Sequence, residues 1–120
     1  MTRNPNVEVA ARYFAALVRK DLLALPLAAD VVMESPITPT LCGLESVLEY
    51  LEALASVIKT IRTLDFIAED NKVAVQFELE TAEGVIPGFE CLEISNGLIK
   101  KLRPYFDVRP LMNATGSDGE

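Results

Sequence analysis

Hydrophobic positions recur with two different periods along this chain, and the change falls at Lys59. Before it, apolar residues return every three to four positions, as on a helix half-sunk in a core; after it they alternate, as on strands. Asn4-Pro5-Asn6 offers a cap and a proline suited to a first helical turn, predicting a helix that runs to about Lys20. Ala10, Phe14 and Leu17 form its inward stripe, with Val9, Tyr13 and Ala16 beside it and Glu8, Arg12 and Arg19 on the wet side. Asp21 caps a second helical piece, Leu22 to Leu25, which Pro26 interrupts, and Leu27 to Asp30 reads as one more turn. Val31 to Ser35 reads as a short strand closed by Pro36, with Met33 and Ser35 on one face and Val32 and Glu34 on the other. ITPTLCG is loop-like. Leu44 to Ile58 is a third helix, apolar along Val47, Leu51, Leu54 and Ile58 and polar along Glu45, Glu49, Glu52 and Ser56.

The second half reads as four strands. Thr60 to Glu69 alternates imperfectly and ends at the turn residues Asp70-Asn71. Val73, Val75, Phe77 and Leu79 alternate strictly with Ala74, Gln76, Glu78 and Glu80, a half-buried strand. Ala82-Glu83-Gly84 then turns the chain into a last hairpin, Val85 to Val108, around the strong turn pair Asn96-Gly97. Ile86, Glu90, Leu92 and Ile94 share one face of it, so Glu90 is a carboxylate on an otherwise apolar face. Leu102, Pro104, Phe106 and Val108 share a face of the second run, with Lys101, Arg103 and Asp107 on the other. Helices followed by an antiparallel meander predict an α+β layer fold, and a helix pair across the concave face of a twisted sheet leaves a cone. Residues 1–112 read as one domain, and the small, acidic tail 113–120 is expected to be disordered. Apolar residues on both strand faces, Phe89 and Cys91 opposite Leu92 and Ile94, predict a homodimer through the outer sheet face.

Composition narrows the chemistry. Eighteen acidic against 11 basic residues give a net charge of −7, which argues against a nucleic-acid binder. The chain has no histidine, removing His-based zinc sites and Ser-His or Cys-His nucleophile pairs. Glu45, Glu49 and Glu52 make a solvated helix face, so no metal and no cofactor are expected. Cys42 and Cys91 are too few for a disulfide scaffold and read as free thiols. No stretch approaches a membrane span or an apolar signal region, so a cytoplasmic location is expected.

The opening helix VAARYFAALVRKD, the strand LAADVVMESP, the GLESV start of the third helix and the ending GLIKKLRPYFD occur in this order and spacing. Together they resemble the SnoaL-like, ketosteroid isomerase-like families of the nuclear transport factor 2-like superfamily, over roughly Val7 to Met112. The resemblance implies a cone-shaped fold, three N-terminal helices on a curved, mainly antiparallel sheet, usually dimeric, with an apolar pocket between them. Its members include isomerases, cyclases and dehydratases, as well as non-catalytic binding domains. By the same resemblance Tyr13 matches a tyrosine that donates to a developing oxyanion. Glu90 lies where those enzymes keep a protonated aspartic acid as second donor, an acid that serves as a standard illustration of a raised pKa. The family's general-base aspartate precedes a proline, and here that position is Ser35, with Glu34 pointing to the other face.

Two functions compete on these residues. One is a cofactor-independent isomerase, cyclase or dehydratase in which Tyr13 and protonated Glu90 stabilise an oxyanion while Glu34, or a water held by Ser35, moves the proton. The other is a non-catalytic domain that binds a small hydrophobic molecule or only dimerises. Either uses a pocket lined by Phe14, Leu17, Met33, Leu51, Leu54, Leu92, Leu102 and Phe106. The plainer alternatives are structural. Glu90 reads as a core carboxyl satisfied by Tyr13 or Lys100, and Asp107 as a partner of Arg103 or Lys101.

Overall fold

Asn4 caps the first helix, α1 (Pro5–Arg19), through its side-chain oxygen, which accepts from the Asn6 N–H at 2.9 Å, and Pro5 occupies the first turn. The computed structural model describes residues 4–107 and Arg109; Val108 and the tail expected to be disordered lie outside the described residues. The helix ends at Lys20, a left-handed residue (φ 59°) whose N–H returns to Ala16 and Leu17 carbonyls. Both ends of α1 are tied across the molecule. The Asn4 and Asn6 amides each donate to the Asp70 carbonyl at 3.1 Å. The Lys20 ammonium donates to the carbonyls of Ala55 and of Ile58 (2.8 Å for the latter), where α2 (Leu44–Val57) ends.

Between the helices lie a single 3-10 turn (Leu22–Ala24) and two strands, β1 (Leu27–Met33) and β2 (Leu41–Cys42). Leu27–Asp30 is therefore strand and not a further helical turn. Pro26 ends the turn and its carbonyl accepts from Ile99 N–H, which launches β1 alongside the last strand and buries Leu27, Ala28, Val31 and Met33. Within the expected loop, Leu41–Cys42 pairs with Val32–Met33. After α2 come β3 (Ile58–Glu69), β4 (Lys72–Thr81), β5 (Gly84–Ser95) and β6 (Leu98–Phe106). The sheet order is β2-β1-β6-β5-β4-β3, antiparallel throughout except for the parallel β1–β6 pair. Lys20 and its carbonyls thus close a two-helix layer over one face of a six-stranded sheet.

Departures from strict alternation are bulges. Lys59 and Leu64 are each an extra residue against β4, which accounts for the imperfect pattern of β3 and leaves Leu64 exposed. Lys100 is an extra residue against β5, so Ile99 and Leu102, three apart, both turn inward while Lys100 stays wet and pairs with Asp30 at 2.8 Å. At the β5–β6 turn Asn96 (φ 54°) and Gly97 (φ 78°) are both left-handed, the conformation this residue pair favours. Gly88 has a different reason: a Cβ there would stand 2.5 Å from the Phe77 ring, so its bare backbone gives that ring its place in the core. Each large apolar side chain buried on the inner face contributes about 1.5–3 kcal/mol.

Candidate functional site

Alternation along β5 turns Glu90 to the helix side, between Ile86 and Leu92, and leaves it only 5% exposed. Its strand neighbours there are Val75 and Pro104, neither of which offers a donor to a side chain. Across the core, the inward stripe of α1 carries Tyr13, fully buried and packed edge-on against Phe14 (ring centres 5.0 Å apart). Both side chains line one small cavity of about 20 Å³. Phe14, Leu17, Met33, Leu51, Leu54 and Phe106, all expected in the pocket, line it as well. Leu92 and Leu102 do not; they are buried in the core beneath it. Tyr50, Ile58, Ile61, Phe77, Leu79 and Pro104 complete the wall.

Tyr50 is the polar group that the sequence pattern left out. It falls three residues after Val47 and four before Leu54, on the apolar stripe of α2, and that spacing was the available signal. Among the described residues, the titratable side chains lining the cavity are Tyr13, Tyr50 and Glu90. Burial raises the Glu90 carboxyl from its ordinary 4.5 to about 8. Burial, then the Glu90 charge and Tyr50, hold the Tyr13 hydroxyl well above its ordinary 10. Burial, then Glu90, raises Tyr50 as well. Near neutral pH all three are therefore neutral, and each carries an O–H that can donate. Glu90 Oε2 is buried with no hydrogen-bond partner among the described residues. A buried oxygen of this kind costs about 1–3 kcal/mol until something pairs with it.

The other candidates stand apart. Glu34 lies just past β1, where its N–H still donates to Leu102 O and its side chain turns to the outer face. There Arg103 binds it at 2.9 Å and Lys101 at 3.6 Å, and Arg103 also reaches Glu93 at 3.1 Å. The Arg103 hydrogen bond holds the Glu34 carboxyl below its usual range, so it is an ionised partner of that cluster. Ser35 Oγ accepts from Ile37 N–H at 3.3 Å in the turn beyond the strand and does not line the cavity. Lys100 is engaged by Asp30, not Glu90. Asp107 pairs with Arg109 at 2.7 Å rather than with Arg103 or Lys101, a local contact that lowers its carboxyl to about 2.

A two-helix layer over one face of a curved, six-stranded sheet is the nuclear transport factor 2-like fold of α+β domains. Residues 10–102 match the SnoaL-like domain, and the chain belongs to that family. Among solved structures, an NTF2-like protein from Cytophaga hutchinsonii ATCC 33406 is similar at 20% identity, covering 92% of this chain and 97% of its own, with a TM-score of 0.77. A candidate SnoaL-like polyketide cyclase from Jannaschia sp. CCS1 is 16% identical over 99% of both chains, TM-score 0.77. A candidate ketosteroid isomerase from Kribbella flavida DSM 17836 is 20% identical, covering 83% of this chain and 76% of its own, TM-score 0.76. No curated protein matches the chain.

The raised carboxyl makes stability depend on pH in a direction opposite to most acids. Below pH 4.5 Glu90 is protonated in folded and unfolded chains alike. Between 4.5 and about 8 the unfolded chain gives up the proton while the folded chain keeps it, so rising pH favours unfolding. With no histidine in the chain, no side-chain type present has an ordinary pKa between 5 and 7.5. Urea unfolding of the native chain should therefore lose roughly 3 kcal/mol across that interval, at about 1.4 kcal/mol per pH unit. Glu90→Gln should be flat over the same interval; parallel curves for the two proteins would contradict the assignment.

Proposed function

We propose that this SnoaL-like domain binds a small, largely apolar molecule through one oxygen atom, held by O–H donors from Glu90 and Tyr13. The observation that carries the reading is the unpartnered Glu90 Oε2, buried among apolar side chains in the cavity that Tyr13 also lines. A neutral carboxyl and a phenol in a low-dielectric wall stabilise a carbonyl, an enolate-like oxygen or a phenol far better than they would in water. The paired ion cluster on the opposite face engages Glu34, and among the described residues the cavity wall carries no group that is a base at neutral pH. That favours binding over proton abstraction.

A second reading is an isomerase- or dehydratase-type enzyme. It is favoured by a Glu90 carboxyl near 8, well matched to delivering a proton to a substrate oxygen at neutral pH. Turnover of a ketone panel, abolished in Glu90→Gln, would select it. In either case the two free cysteines fit a reducing, cytoplasmic setting, and no described helix is long and apolar enough to cross a membrane.

A thermal-shift screen with phenolic, steroid and polyketide-like compounds should give hits, because a ligand that binds only the folded state raises its stability. For a ketone or phenol hit, affinity should hold steady from pH 6 to 7 and weaken by up to about tenfold per pH unit above pH 8, as Glu90 ionises. Glu90→Gln keeps a donor but cannot ionise, so that loss should vanish. Tyr13→Phe should weaken binding by roughly 5–10-fold, the worth of one hydrogen bond. Hits indifferent to both substitutions would overturn the reading.

We also propose that the outer sheet face joins two copies of the chain. Phe89 (44% exposed) and Tyr105 (51%) stand directly opposite each other on the adjacent central strands β5 and β6, beside the Arg103–Glu34–Glu93 cluster. Light scattering should give twice the chain mass for the native protein and the single mass for Phe89→Lys with Tyr105→Glu. A monomer in the native protein would rule the interface out.

A further inference from the structure

The cavity is too small for the molecule it is proposed to hold. An apolar cavity of about 150 Å³ takes up one benzene ring, and this one measures about 20 Å³, room for one water-sized group. Two of its wall residues, Phe14 and Ile61, also line a second space, a surface groove of about 210 Å³ between α1 and β3. The rest of that groove is Ala11, Ala15, Val18, Thr63 and Phe66, apolar except for one hydroxyl. Ala11, Ala15 and Val18 recur at helical spacing and form a second apolar stripe on α1 beside its core stripe. Both alanines are exposed, and small side chains there leave a trough along the helix.

The partition between the two spaces is built to yield on one side. β3 is one of the two edge strands of the sheet, hydrogen-bonded to β4 alone. The stretch Thr60 to Thr63, which carries Ile61, is bracketed by the bulges at Lys59 and Leu64, where the ladder is interrupted. Ile61 itself is only half-buried, whereas Phe14 is held at 5.5 Å by the Phe77 ring. Behind this wall Glu90 Oε2 stays unpartnered.

Building on the binding function above, we propose that the ligand is an amphiphile. Its oxygen-bearing head meets Glu90 and Tyr13, and its apolar chain passes between Phe14 and Ile61 to lie along Ala11, Ala15 and Val18. Ile61 then moves aside and the cavity and groove become one site. The head fixes orientation through hydrogen bonds, while the chain supplies most of the affinity, at about fourfold per buried methylene.

Calorimetry with 4-methylphenol and 4-hexylphenol on the full chain separates this proposal from the one it rests on. In the native protein the hexyl compound should bind at least 100-fold more tightly. Ala15→Trp fills the trough, and Val18→Asp, a second variant at its far end, makes it polar. Each should bring the hexyl compound to within a few-fold of the methyl compound, whose shorter chain reaches less of the trough and which should lose far less affinity. Tyr13→Phe should weaken both phenols by the same factor. Equal affinities in the native protein, or a hexyl advantage that survives both groove variants, would overturn the groove while 4-methylphenol still answers to Tyr13. Failure of both phenols to bind would overturn both proposals.

Discussion

A carboxylic acid is removed from water at the centre of this molecule, and its desolvation sets the chemistry of everything around it. Glu90 turns inward because strand alternation allows it no other direction: Ile86, Leu92 and Ile94 on the same strand must face the helices, and Glu90 shares their face. Once there, it meets Val75 and Pro104 on the flanking strands, and burial drives its pKa to about 8. The acid is then neutral at the pH of most cells. Its charge no longer has to be balanced, and it becomes a donor. The two tyrosines that line the same cavity are pushed further from ionisation by the same burial, so among the described residues the wall presents three O–H groups and no base.

The opposite face of the sheet shows the contrasting solution to an acid on a strand. Glu34 comes just after Met33, which faces the cavity, and the single-residue step puts its carboxylate among Arg103 and Lys101 near water. One carboxyl is therefore kept ionised by cations and the other neutral by apolar walls. Those surface pairs add little stability, and their effect is to hold Glu34 away from the cavity. Proton abstraction by Glu34 would require the β1–β6 ladder to come apart locally, since its N–H is bonded to Leu102.

Much of this was legible in the sequence because period and turn chemistry agreed. The Asn96-Gly97 turn, the strict alternation of Val73 to Leu79 and the inward position of Glu90 follow from two-residue periodicity alone. Leu27–Asp30 was harder: three apolar residues after a proline fit a helical turn as well as a strand, and only the long-range parallel pairing with β6 decides it. The bulges at Lys59, Leu64 and Lys100 shift register without any glycine to mark them. The ties from Asn4, Asn6 and Lys20 to distant carbonyls join residues dozens of positions apart, which no local pattern reveals. Tyr50 was visible in helical spacing, although it follows Glu49 of the polar stripe directly.

The most direct measurement is the titration of the Glu90 side chain itself. Carbon-13 NMR of the glutamate carboxyl resonances, with Glu90→Gln assigning the signal by its loss, follows one group through the whole pH range. A midpoint near 8 is the result a buried, neutral, donating acid gives. A midpoint near the ordinary 4.5 would mean that Glu90 is ionised at neutral pH, and the donor pair at the heart of this account would not exist.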